Sequence, residues 1–202
     1  MFLNLSFLPE ILLCSKSVIK GEMRISSLDM REPLMGCKDQ VIHSDVPSDK
    51  RIHQPSEFQC VSFLYLDDAT SENGPLRVFP GSHMNFSSKV DLQNEVKILA
   101  PRGSLVVMNA NLKHGGTEKK SDLRRRVIFI NYRDRRFRRQ LNAKLFLNKK
   151  TIANLSEAKK YLLGVRKTDS TKLLQTWAYF NRHEWYAKIL IQLRIRLSKL
   201  IK

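Results

Sequence analysis

The 202-residue chain is long enough for one domain with its own apolar core, so neither a disulfide framework nor a structural metal is needed to make it fold. Its three cysteines, Cys14, Cys37 and Cys60, are an odd number, widely spaced with no Cys-x-x-Cys pair, which argues against a disulfide framework and a zinc–thiolate site and points to a reducing, cytoplasmic compartment. The net charge of +17 is concentrated at one end: residues 134–202 hold 18 Lys and Arg against 4 Asp and Glu, whereas residues 1–133 hold 18 against 15. The chain therefore reads as a nearly neutral body, 1–133, followed by a basic extension, 134–202.

Residues 1–13 are apolar but lack a basic start and are interrupted by Pro9 and Glu10, which suits a helix packed on the domain better than a secretion signal. The stretch is also too short to span a bilayer. From residue 18 to residue 133 short β-rich runs alternate with turn residues, the pattern of a sandwich or barrel. Ser17 to Met30 supplies one or two strands, followed by Gln40–His43, Gln59–Leu66, Leu76–Phe79, Val96–Leu99, Gly103–Met108, a very short Leu112–Gly115, and Arg126–Tyr132. Asn73-Gly-Pro75, Pro80-Gly-Ser82, Pro101-Arg-Gly103 and His114-Gly-Gly116 mark turns between them.

After Tyr132 the texture becomes helical, with one helix expected over Leu141–Gly164 and a second over Lys172–Lys202. In the second, Tyr186, Ile189, Leu190, Leu193, Leu197, Leu200 and Ile201 fall on one arc while Lys188, Arg194, Lys199 and Lys202 fall outside it. This is a basic amphipathic helix.

His43-Ser44-Asp45 closes a strand and opens a loop. Residues i and i+2 of a strand share a face, so the imidazole and the carboxylate can converge on one point. Those are two ligands of a 2-His-1-carboxylate facial triad, the donor set that leaves three positions of Fe(II) open. A His-x-Asp turn satisfying its own loop backbone would look the same. His114, just after a strand, could supply the third ligand, and one of Arg124, Arg125 and Arg126 could hold a carboxylate bidentately at the end of the same pocket. Both faces of Val127 to Tyr132 are apolar, so strand alternation does not choose among the three arginines.

The pieces Val41-Ile-His-Ser-Asp45, Asn73-Gly-Pro-Leu-Arg-Val-Phe-Pro-Gly-Ser-His83, Gly103-Ser-Leu-Val-Val-Met108, His114-Gly-Gly and Ser121-Asp-Leu-Arg-Arg-Arg-Val-Ile-Phe-Ile-Asn-Tyr132 occur in this order between Lys38 and Asp134. Together they resemble the phytanoyl-CoA dioxygenase family of Fe(II)/2-oxoglutarate-dependent oxygenases. The resemblance implies a double-stranded β-helix of the jelly-roll or cupin kind over residues 1–133, with flanking helices and a helical C-terminal extension over 134–202. It implies His43, Asp45 and His114 as metal ligands and Arg125, eleven residues after His114, as the anchor of 2-oxoglutarate. The implied reaction couples decarboxylation of 2-oxoglutarate by O2, giving succinate and CO2, to hydroxylation of a small organic substrate. The carboxylate of Asp45 disfavours chlorination, for which relatives place a small residue at this position.

The sequence departs from the family pattern in a short region before His43, in Gly116 where a hydroxyl residue is common, and in the basic extension. His83 reads as a turn brace at the pocket mouth rather than a ligand, and His53 and His183 receive the same structural reading. The loops Asp67–Glu72 and Ser82–Lys89 would set the substrate, and carry no readable code. A rival of a different class is a catalytically inactive β-helix that binds through residues 172–202, peripherally at an anionic membrane or on another polyanion; the favoured reading of the tail helix itself is packing on the barrel with its charges solvated, with membrane contact next. Nucleic acid is disfavoured, because Trp177, Tyr179, Phe180, Trp185 and Tyr186 cluster rather than interleave with the cations. An intact triad with Arg125 favours the enzyme.

Overall fold

The computed structural model describes residues 2–46, 57–84 and 90–165. Helix α1 (Phe2–Leu5) and helix α2 (Pro9–Val18) precede strand β1 (Met23–Arg31). Strands β2 (Gln59–Tyr65), β3 (Leu76–Val78), β4 (Val96–Ile98), β5 (Leu105–Asn109), β6 (His114–Gly116) and β7 (Val127–Asp134) follow, with a 3-10 turn at Leu92–Asn94. Helices α3 (Ala143–Phe146), α4 (Lys149–Ala153) and α5 (Glu157–Leu162) complete the described chain.

The strands form two antiparallel sheets, β1-β7-β2-β5 and β4-β3-β6. An isolated antiparallel bridge between His43 and His114 adds an eighth strand, one residue long, to the edge of the smaller sheet. The result is the double-stranded β-helix the sequence suggests. Val61, Phe63 and Tyr65 on β2 and Leu76 and Val78 on β3 fill the space between the sheets. The opposite face of the larger sheet, carrying Cys60, Ile128, Ile130 and Tyr132, packs on Ile11 and Leu12 of α2 and on Leu162 and Leu163 at the end of α5.

This second layer explains the ambiguity of β7. Ile128, Ile130 and Tyr132 are apolar because helices cover them, while Val127 and Phe129 are apolar because they face the barrel interior. Tyr132 also donates its hydroxyl hydrogen to the Ser6 carbonyl at 2.7 Å, tying the turn between α1 and α2 to the sheet. Pro9 at the start of α2 gives up no helical hydrogen bond there, and its fixed φ suits the first turn.

The structure revises three expected elements. Gln40–His43 is not a strand of its own length. Only His43 pairs, and the preceding residues are held by loop bonds instead, Gln40 N–H to the Gly116 carbonyl at 2.9 Å and Glu118 N–H to the Asp39 carboxylate at 2.7 Å. Leu141–Gly164 is not one helix but three short ones, because Asn142, Asn148 and Ser156 each cap a new N-terminus with a side-chain oxygen. Ser17 and Val18 belong to α2, and the segment after them makes a single strand with a register shift between Ile25 and Ser27. The expected helix Lys172–Lys202, with His183, and the segment containing His53 lie outside the described residues. Among the described residues no helix is long and apolar enough to cross a membrane.

Candidate metal centre and co-substrate pocket

The His43–His114 bridge brings the two imidazoles together: the backbones exchange N–H···O bonds of 3.0 and 2.8 Å, and the ring centroids lie 4.5 Å apart. Asp45, anchored by its N–H to the Ala110 carbonyl at 3.0 Å, turns its carboxylate to the same point, 3.9 Å from His114 Nε2. One ligand atom from each of the three lies within 4.8 Å of the others, and these are the sole such His/Cys/Asp/Glu group among the described residues.

Both rings are set in the tautomer a metal needs. His43 Nδ1 is 2.9 Å from the Val41 carbonyl and His114 Nδ1 is 2.8 Å from the Leu112 carbonyl. A carbonyl only accepts, so Nδ1 carries the hydrogen and the Nε2 lone pair is left for a cation. Burial pushes the His114 imidazole below its ordinary pKa, against the pull of Asp45, and the charges of His43 and Arg31 act in the same direction as burial. Neutral imidazole is the ligating form. Two nitrogens and one carboxylate oxygen, with no thiolate, suit Fe(II) better than structural zinc.

The three residues open on a cavity of about 700 Å3 that is also lined by Arg125, Phe129 and Asn131. The three consecutive arginines separate by register. Arg124 makes a bidentate pair with Glu32, at 3.0 and 2.8 Å, and Arg126 makes one with Asp67, at 2.8 and 2.7 Å. Asp67 also accepts the Arg126 N–H at 2.8 Å, which holds its carboxyl well below the usual carboxylate range. Asn73 secures the same corner, donating to the carbonyls of Asp68 at 2.7 Å and Arg124 at 3.2 Å. With both neighbours pinned, Arg125 turns into the cavity, where burial lowers its pKa and Tyr65 and Cys37 are the polar groups that oppose the shift.

Arg125 Nε, in the cavity wall, is buried without a hydrogen-bond partner among the described residues, and so is Oη of Tyr65, a core residue near enough to act on the Arg125 charge. Tyr65 was not singled out from the sequence. Its signal is its place at the end of β2, two residues past Phe63 on the inward face. A buried N–H of a guanidinium and a buried hydroxyl, each without a partner among the described residues, are donors of the kind an anion takes up.

Gly116 leaves room that another residue takes up. A Cβ there would meet the Gln40 carboxamide at 3.3 Å, and the Gly116 N–H donates to Gln40 Oε1 at 2.8 Å. The hydroxyl that is next in sequence, Thr117, is buried and donates to the Pro75 carbonyl at 2.9 Å. His83 lies in the turn after Phe79 and is not part of the metal-ligand group; its Nδ1 is buried with no partner among the described residues.

The phytanoyl-CoA dioxygenase family model matches residues 12–127, more than half of the chain. The chain belongs to the phytanoyl-CoA dioxygenase family. Solved structures with the same fold include HygX from Streptomyces hygroscopicus with nickel and 2-oxoglutarate bound, at 15% identity and a TM-score of 0.58 over 68% of this chain and 66% of that one. The α-ketoglutarate-dependent epimerase SnoN from nogalamycin biosynthesis matches at 17% identity and a TM-score of 0.56, over 65% of this chain and 57% of that one. EvdMO1 matches at 23% identity and a TM-score of 0.54 over 65% of this chain, which spans only 32% of EvdMO1. No curated protein matches the chain.

Proposed function

We propose that the chain is an Fe(II)- and 2-oxoglutarate-dependent oxygenase that hydroxylates a small organic substrate, with His43, Asp45 and His114 as metal ligands and Arg125 as the co-substrate anchor. The observation that carries the reading is the sharing of one cavity by a three-residue donor set and a buried guanidinium with an unpartnered Nε. Family membership points the same way, as does the nickel and 2-oxoglutarate bound in HygX. SnoN, named as an α-ketoglutarate-dependent epimerase, makes epimerisation an alternative outcome to hydroxylation on this fold.

Bound Fe(II) would supply the site at which O2 and 2-oxoglutarate react, giving succinate and CO2 and oxidising the substrate. The chain's own contribution is positional. The backbone bridge fixes His43 and His114 against each other, and their Nδ1–H bonds aim both Nε2 atoms inward. Arg125 and Tyr65 would receive the distal carboxylate of 2-oxoglutarate in a partly desolvated pocket, where paired charge-assisted bonds orient the keto acid. Phe129 and Leu76 give the wall apolar surface that excludes water from the reacting atoms. We assign this chemistry to residues 1–133. The intact donor set weighs against the inactive binding module.

Anaerobic titration of Fe(II) into the metal-free protein tests the assignment. The wild-type chain should bind iron stoichiometrically, and His114→Ala should lose that binding while keeping its β-rich circular dichroism. Equal iron affinity in the two proteins would remove the basis for the ligand set.

A further inference from the structure

Six charged side chains line the cavity: Asp29, Arg31, Glu32, Lys38, Asp45 and Arg125. Four already have a role or a partner. Asp45 belongs to the metal-ligand group and Arg125 to the co-substrate end. Glu32 is held by Arg124 at 2.8 Å, and Lys38 by Glu118 at 2.5 Å. What remains is the ion pair Arg31–Asp29, partnered only with itself and not used by the proposed cofactor chemistry.

Arg31 is fixed in a particular way. It and Asp29 lie on the same face of β1, opposite Val127 and Phe129 of β7. Its guanidinium sits 4.4 Å from the centroid of the Phe129 ring, and its Nη2 is 3.1 Å from Asp29 Oδ2. The ring and the carboxylate thus hold the fork in one pose over the cavity wall, between the Arg125 end of β7 and Asn131. Both members of the Arg31–Asp29 pair are solvent-accessible, with 58% and 42% of the side chain exposed. An ion pair so exposed contributes little by itself, and Asp29 engages a single N–H of the fork through Nη2, so the guanidinium has further donors for a second oxyanion. Alongside it the wall is polar: Asn131 donates to Ser27 Oγ at 2.9 Å, and Gln140 completes that side.

Resting on the oxygenase reading, we propose that Arg31 is the residue that selects the substrate: it recognises a carboxylate on a small polar molecule and holds that molecule against the Phe129 ring, beside the metal site. The planar fork suits a carboxylate, and the aromatic face accepts the carbon skeleton that carries it. The substrate class is therefore small carboxylic acids, distinct from 2-oxoglutarate, which is directed to Arg125.

The test uses the full chain loaded with Ni(II) and saturating 2-oxoglutarate, so that the Arg125 end is filled and no turnover occurs. Calorimetric titration with a panel of small monocarboxylic acids, each paired with its own primary amide, should show the acids binding at least about tenfold more tightly than their amides. Arg31→Gln should abolish that preference and leave 2-oxoglutarate affinity within about threefold, while Arg31→Lys keeps part of the preference. A preference that survives in Arg31→Gln, or a loaded wild-type protein that does not distinguish acid from amide, overturns the assignment of Arg31 and leaves the oxygenase reading standing. Failure of the wild-type chain to take up Ni(II) and 2-oxoglutarate overturns both.

Discussion

Removing Arg125 is the perturbation whose size the structure constrains best. Its guanidinium is buried in the cavity with Nε unpartnered, so no protein acceptor competes with an incoming carboxylate at that atom. Truncating one partner of a buried, hydrogen-bonded charge pair costs about 2–5 kcal/mol. That corresponds to a loss of roughly 30-fold to several thousand-fold in affinity. Arg125→Ala should therefore weaken 2-oxoglutarate binding by about two orders of magnitude or more while sparing iron. Arg125→Lys keeps the charge but loses the fork, and should recover only part of the affinity. Arg124 and Arg126 are committed to Glu32 and Asp67, so Arg124→Ala and Arg126→Ala should change co-substrate affinity by less than about tenfold. Isothermal titration of 2-oxoglutarate into the anaerobic Fe(II)-loaded variants measures all four. A critical Arg124 or Arg126 beside a dispensable Arg125 would refute the register.

Three further outcomes follow from the same corner of the fold. Tyr65→Phe should lower 2-oxoglutarate affinity by roughly tenfold or more, yet leave the melting temperature of the free protein unchanged or raised, because an unpartnered buried hydroxyl is removed; a fall in both would show that the hydroxyl has a structural partner. Asp67→Asn should weaken 2-oxoglutarate binding several-fold without altering iron affinity, because it loosens the clamp that turns Arg125 inward; an equal loss of iron would point to general unfolding. Because the Asp67 carboxyl is held low in the fold, its contribution to stability is fully present above about pH 4, the unfolded value, and is lost only as pH falls through the lower folded value. An acid-unfolding curve of Asp67→Asn that matches wild type above pH 4 would contradict that sign.

The pattern of short strands and turns was enough to read a sandwich or barrel, because period-two alternation and Gly/Pro punctuation report directly on a half-buried antiparallel sheet, and the family resemblance narrowed it to a double-stranded β-helix. The His-x-Asp pair was visible as a spacing, but the reason is not strand alternation: only His43 pairs in the sheet, and a loop bond from the Asp45 N–H to the Ala110 carbonyl brings the carboxylate round to the same point. What the sequence hid depends on tertiary contacts. The choice of Arg125 was not available from alternation, because α2 and α5 cover the outer face of β7 and make both faces apolar. The segment before His43 looked like a strand, but side-chain and loop bonds from Asp39 and Gln40 take the place of a ladder. The helix expected from Leu141 to Gly164 has the right composition, and is cut by caps at Asn142, Asn148 and Ser156. Tyr65 and the Arg31–Phe129 stack become visible only when β1, β2 and β7 lie side by side.

The coupling of 2-oxoglutarate consumption to the His43, Asp45 and His114 site is tested most directly by succinate release. The protein is loaded anaerobically with Fe(II) and 2-oxoglutarate and exposed to air, and succinate is quantified beside residual 2-oxoglutarate. The account requires succinate in equal amount to the 2-oxoglutarate consumed, dependent on added iron and absent in His114→Ala. Succinate that forms equally well in His114→Ala, or 2-oxoglutarate left unconsumed by the iron-loaded wild-type chain, would contradict it.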